Sequence, residues 1–200
     1  MLIDRYLPTY DVTEVCETSL QAPPDVTYAA IRETDLSDRV VSALFALREL
    51  PLRIVREWRG EHHPPPPATV TFGTMMQEGP RWVQLAEEPG IELVIGSVGR
   101  FWRRDYGGRP VTAEEFIPFR EPGYAKLALS FLVLPSAAGR TILRYEARTV
   151  TTDETARRWF RRYWRLIRPG VALVMRRALR RIKVEAERRA ALPVPREAGV

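Results

Sequence analysis

The sequence predicts an α+β domain, and three observations carry that expectation. An alternating strand near the N-terminus leads into helical segments, strand-like alternation recurs through the middle of the chain, and one long amphipathic helix closes it. Two hundred residues suit one hydrophobic core. A hydrophobic fraction of 45% is ordinary for a globular chain and too high for a disordered one. A single domain is therefore expected over residues 1–190, with a disordered tail at 191–200.

Residues Val12 to Leu20 alternate as a strand, which Ala22-Pro23-Pro24-Asp25 ends. Proline fits a first helical turn, where its missing N–H would be unpaired, and Asp25 suits the positive helix end. A first helix is expected from Pro24 to Glu33. Ser37 reads as the N-cap of a second, carrying Val40, Val41, Leu44, Phe45 and Leu47 until Pro51 interrupts it. The run Pro64-Pro65-Pro66-Pro67 forbids helix and sheet alike, so residues 59–67 read as an extended loop. Thr71 caps a short helix through Phe72, Met75 and Met76.

Strands are then expected at 81–87 and 91–102 about the turn Glu88-Pro89-Gly90, with Gly96 and Gly99 marking a bulge or bend. Residues 103–123 form an inserted loop, in which Thr112 to Glu115 match a capping box. Two long strands follow at 124–134 and 140–151. The second places Thr141, Leu143, Tyr145, Ala147 and Thr149 on one face and Arg140, Arg144, Glu146 and Arg148 on the other. That pattern predicts one covered and one wet sheet face. Asp153 opens the last helix, which runs to about Arg189 with Phe160, Tyr163, Trp164, Ile167, Val171, Val174, Ala178 and Ile182 on one stripe. Pro169-Gly170 should kink it, with Pro169 on the polar side.

No apolar run approaches the roughly 18–20 residues of a bilayer-crossing helix. The start, Met1-Leu2-Ile3-Asp4-Arg5, lacks the layout of a secretory signal. A lone cysteine, Cys16, fits a reducing compartment, so a soluble, cytoplasmic protein is expected. The net charge of +6 is unevenly spread: residues 157–200 hold 14 basic side chains against 3 acidic. Only Lys126 and Lys183 among the basic residues are lysine, as a genome rich in G and C would produce.

The order of elements resembles the START-like superfamily, which includes polyketide cyclases, Bet v 1-like proteins and lipid-transfer domains. The local likeness lies in Ala22-Pro23-Pro24-Asp25-Val26-Thr27-Tyr28-Ala29-Ala30-Ile31 and in the hairpin ending Arg140-Thr141-Ile142-Leu143-Arg144-Tyr145-Glu146. It covers about residues 10–188 as an architecture. The resemblance implies a helix-grip fold, a curved antiparallel sheet wrapped around the C-terminal helix with a cavity between them. The binding partner so implied is a hydrophobic small molecule: a lipid, a polyketide or an aromatic metabolite. Residues 51–80 and 103–123 exceed the usual connections of that family and would reshape the cavity mouth.

The cavity walls would come from the concave sheet face and the inner helix stripe. Leu143, Tyr145, Thr149 and Phe131 serve the first and Tyr163, Ile167 and Val171 the second, though core packing is the commoner role for any one such side chain. Tyr145, Thr149, Ser130 and Tyr163 are the polar members, able to orient a ligand oxygen or to make structural hydrogen bonds. Arg100 and Trp102 form the densest local cluster. They would meet a ligand carboxylate or carbonyl, unless strand alternation from Glu92 leaves them outside as a surface arginine on tryptophan. A cyclase or dehydratase-like enzyme would use a tyrosine and an arginine in the same cavity for proton transfer.

No cofactor is expected, since phosphate loops, paired cysteines and Ser/His/Asp patterns are absent. His62-His63 lack a third ligand and point apart, so no metal is expected. The arginine face of the last helix suits anionic membrane lipids, and Trp159, Leu166 and Leu173, seven apart, give it an apolar edge for a membrane or a homodimer partner. The alternative is a solvated face, and sequence-specific nucleic-acid binding has no recognition module to support it.

Overall fold

The computed structural model describes residues 1–36, 71, 82–103, 106–137 and 140–192. The expected helix after Ser37, the proline run with His62 and His63, the short helix beyond Thr71 and the last eight residues lie outside the described residues. In chain order the elements are α1 (Ile3–Tyr6), β1 (Val12–Leu20), α2 (Pro24–Glu33), β2 (Val83–Glu88), β3 (Glu92–Gly99), α3 (Ala113–Phe116), β4 (Ala125–Pro135), β5 (Thr141–Thr151) and α4 (Glu154–Ala190). None of the described helices is long and apolar enough to cross a membrane.

The strands form one curved antiparallel sheet in the order β1-β5-β4-β3-β2, so the first strand pairs with the last. Register decides the faces. Cys16, Tyr145, Phe131 and Leu93 lie opposite one another across four strands and join the core beneath α2 and α4, which makes theirs the inner face. With α4 across it, the sheet has the helix-grip arrangement. The turn at Glu88-Pro89-Gly90 closes as expected: Ile91 N donates to Glu88 O at 2.9 Å, and Gly90 takes φ +81°. The irregularity in this hairpin sits in β2, between Gln84 and Ala86, rather than at Gly96 or Gly99.

Helix α2 has Pro24 in its first turn, and Tyr28 on it donates to Glu87 of β2 at 2.6 Å. Helix α4 starts where Asp153 accepts from Ala156 N at 2.9 Å, and it continues through Pro169, which is exposed. Four ties lay it along the edge strand β1: Arg157 to Asp11 at 2.8 Å, Arg168 to Glu14 at 2.9 Å, Lys183 to Ser19 O at 2.7 Å, and Gln21 N to Glu187 at 2.8 Å. That placement corrects the expected stripe. In the second half the buried line is Ala172, Met175, Leu179, Ile182 and Ala186, while Val171, Val174 and Ala178 are half-buried. The line is displaced by one residue, about 100° round the helix, from Ala172 to Leu179 and meets the expected stripe again at Ile182, because the side turned toward β1 and α2 is the side that packs.

The outer face is wet only in part: Val15, Glu17 and Ser19 of β1 are exposed, but its middle is covered. Helix α1 and the 106–123 segment cover it, and Ile3, Leu7, Leu85, Val94, Val98, Phe116 and Ala128 make a second apolar cluster there. Of the charged row of β5, Glu146 and Arg148 are buried beneath them, Arg144 is half-buried and Arg140 is exposed. Arg148 Nε meets Glu146 at 2.6 Å, its Nη1 meets Asp4 at 2.7 Å and donates to Leu7 O at 3.0 Å, and Glu146 also holds Arg144 at 3.0 Å. Beside them the Glu92 carboxylate accepts from Leu2 N at 2.6 Å, Ile3 N at 3.3 Å and Ser130 Oγ at 2.7 Å, fastening α1 to the sheet. A buried charge persists when it is paired and hydrogen-bonded, as the Arg148 network is, whereas Glu92 is held by hydrogen bonds alone. Gly96 is set by the same packing: a Cβ there would lie 2.7 Å from Leu85 Cδ1 and 2.9 Å from Phe116 Cε2.

Candidate functional site

The inner face of the sheet changes character along its length. At one end Leu143 has no exposed surface and packs in a core with Leu20, Ile31, Leu179 and Ile182. There the helices close down on the sheet. At the other end β5 presents Tyr145, Ala147 and Thr149, opposite Phe131, Leu129 and Leu127 of β4. The helix above that end carries Tyr163, Trp164, Ile167 and Val171, all only half-buried. Since α4 is tied to β1, its first half does not close down over β3 and β4 among the described residues. At this end the sheet row is buried, while the helix flank facing it is half-buried.

Two aromatic groups frame this end. Phe131 and Tyr145 stack with centroids 4.2 Å apart. On the helix, Phe160 stacks on Trp164 at 6.0 Å, meets Tyr163 at 6.3 Å, and takes the edge of Trp102 at 6.3 Å. Trp102 follows the end of β3, so the chain there has turned toward the helix.

Arg100 goes the other way. Its guanidinium lies 4.4 Å from the centroid of the Tyr124 ring, and Tyr124 packs against the outer apolar cluster. No bulge in β3 resets the strand phase, so alternation from Glu92 leaves Arg100 on the face away from α4. Arg100 and Trp102, two positions apart in the sequence, thus turn to opposite sides of the sheet. Ser130 is also on the outer face, donating to Glu92. Of the sequence candidates, the structure brings together Phe131, Tyr145 and Thr149 on the sheet with Tyr163, Ile167, Val171 and Trp102 at the helix side. Leu143 fills core, and Arg100 stands apart.

The polar atoms of the inner face are few. Tyr145 is 8% exposed, and its hydroxyl makes no hydrogen bond to the described residues. Burial, with a smaller contribution from the Cys16 thiol opposite, pushes that hydroxyl's pKa up, so it stays a protonated donor. The hydroxyls of Thr149 and Ser97, both buried, likewise have no hydrogen bond to the described residues. Ser97 escaped the sequence reading, although two-residue alternation from Leu93 and Ile95 points it inward. Glu14 was also missed. It sits on the inner side of β1 and is neutralised by Arg168. No cluster of three metal-ligating side chains exists among the described residues.

No protein-family model matches the chain, and no curated protein matches it. Solved structures similar to it include polyketide aromatase/cyclases. Protein MLL2253 from Mesorhizobium loti is 14% identical with a TM-score of 0.40, over 88% of this chain and 98% of that one. The di-domain aromatase/cyclase StfQ of the steffimycin biosynthetic pathway is 14% identical with a TM-score of 0.38, over 90% of this chain and 52% of that one. The ZhuI aromatase/cyclase from a Streptomyces species is 15% identical with a TM-score of 0.29, over 94% and 99%. Likenesses this distant carry no functional argument; the chain's own sheet order and helix placement carry the description of its fold.

Proposed function

We propose that the protein binds an apolar small molecule, of lipid, polyketide or aromatic type, between the inner sheet face and the first half of α4. The observation that carries this reading is the Tyr145 hydroxyl. No described residue accepts from it, so it is able to donate to an acceptor that a guest brings. Here it lies on the sheet row of Ala147 and Thr149, at the end where the helix flank of Tyr163, Ile167 and Val171 is only half-covered. A guest with a carbonyl or hydroxyl oxygen would accept from Tyr145 while its apolar body fills the space beneath α4. Stacked aromatics at Phe131 and Tyr145 favour a flat guest over a branched one.

Binding is favoured over proton-transfer catalysis by the placement of Arg100. The tyrosine–arginine pair expected for a cyclase-like reaction does not form, since Arg100 lies across the sheet from Tyr145. Titration with 1-anilinonaphthalene-8-sulfonate tests the reading. One saturable site is expected, abolished by Ala147→Trp, which fills the space, and kept by Leu134→Trp at an exposed position. Equal binding by both variants at unchanged far-UV circular dichroism would rule the site out.

A further inference from the structure

A different surface, apart from the proposed cleft, combines basic and apolar side chains on α4. On α4 the segment from Arg157 to Arg168 holds six arginines and no acidic residue. Arg157 and Arg168 are tied to Asp11 and Glu14. Arg161, Arg162 and Arg165 are exposed and have no ion pair among the described residues. Between them stand two large apolar side chains turned to solvent: Trp159, 54% exposed, and Leu166, 80% exposed. Seven residues apart, they share one side of the helix, about 10 Å along its axis. Arg162 lies over the Trp159 ring at 5.5 Å, and Leu173, also exposed, continues the line one heptad on.

We propose that this side of α4 docks the protein on an anionic lipid bilayer. Charge complementarity selects an anionic partner, and the apolar pair selects which one. Nucleic-acid phosphates would pair with the arginines and leave Leu166 in water. A bilayer interface takes both: leucine enters the acyl boundary, tryptophan sits at headgroup level, and arginine stems lie along the apolar surface while their heads meet lipid phosphates. The remaining turns of the segment are pinned to β1, so the docking face is presented on a fixed helix and loses little ordering entropy on contact.

Co-sedimentation of the full chain with vesicles tests this, comparing phosphatidylcholine alone with phosphatidylcholine containing about a third phosphatidylserine. Pelleting is expected with the anionic vesicles only, weakening as salt rises from about 0.1 M to about 0.5 M. Each arginine near an anionic surface is worth about fivefold in partitioning, so Arg161→Ser, Arg162→Ser and Arg165→Ser together should lower it by roughly a hundredfold. Trp159→Ser with Leu166→Ser should abolish pelleting at unchanged circular dichroism, since both side chains are exposed. Equal recovery with neutral vesicles, no recovery with either, or anionic binding untouched by the Trp159/Leu166 pair would overturn the proposal. So would sedimentation equilibrium showing a dimer that the same pair dissolves, because the face would then be a self-interface.

Discussion

Tyr145 and Cys16 face each other across β5 and β1, and the tyrosine hydroxyl, buried beside that thiol, donates to no described residue. Tyr28, by contrast, spends its hydroxyl on Glu87 at 2.6 Å, binding α2 to β2. The two phenols therefore answer the same substitution differently. Tyr28→Phe should cost about 1.5–3 kcal/mol, the worth of a hydrogen bond to a charged group. Tyr145→Phe should leave the empty protein's stability unchanged or raise it by up to about 1 kcal/mol, while weakening a bound oxygen-bearing guest. Urea unfolding of the two variants measures both, and equal losses would mean that Tyr145 has a structural partner after all.

The outer-face network makes a separate prediction. Arg148 is buried on β5 between Glu146, Asp4 and Leu7 O. Arg148→Met alone leaves the Glu146 charge without its closest partner and should cost about 3–5 kcal/mol. Adding Glu146→Leu should recover a large part of that, because the stranded carboxylate is gone. A double variant as unstable as the sum of its singles would show that the two residues act independently.

These residues also show where sequence legibility ends. The bounds of β1 and α2 could be read from alternation and from Pro24, and the capping box at Thr112 and Glu115 forms as its spacing required. Those are local signals. The charge of Glu146 and Arg148 looked like a solvated face because what buries them is a four-residue helix some 140 positions earlier, too short to leave a periodic pattern. The site was legible in the same partial way. Alternation placed Phe131, Tyr145 and Thr149 on one face, but whether each fills core or lines a cleft depends on where α4 docks. Pins such as Arg168 to Glu14 decide that, and no spacing rule connects them.

Gly96 offers a test of packing on the outer face. Gly96→Ala places a methyl within 3 Å of Leu85 and Phe116, both buried, and should cost about 1–3 kcal/mol by overpacking. Shortening one neighbour, in Gly96→Ala with Leu85→Ala, should recover less than it loses, since Leu85 fills the same cluster. A neutral Gly96→Ala, measured by thermal unfolding, would show that the cluster yields more than its geometry implies.

Acid stability should report on the end of α4. Hydrogen bonds from Arg188 and then Arg189 hold the Glu185 carboxyl at about 2, below its ordinary 4.5. The unfolded chain binds that proton more readily, so the contribution is complete above about 4.5 and is lost as pH falls toward 2. Arg188 is exposed and Glu185 and Arg189 are half-buried at the surface, so solvent screening keeps the effect below about 1 kcal/mol. Wild type should exceed Glu185→Gln in stability near neutrality, and the gap should close below pH 4.5; a gap constant with pH would contradict the assignment.

The central claim is that the space for a guest lies under the first half of α4 and not the second. Methyl-labelled protein, observed by NMR while 1-anilinonaphthalene-8-sulfonate is added to saturation, tests it most directly. The account predicts that resonances of Ala147, Ile167 and Val171 shift while those of Leu143, Leu179 and Ile182 stay in place. Shifts confined to the second group, or spread evenly over both, would contradict it.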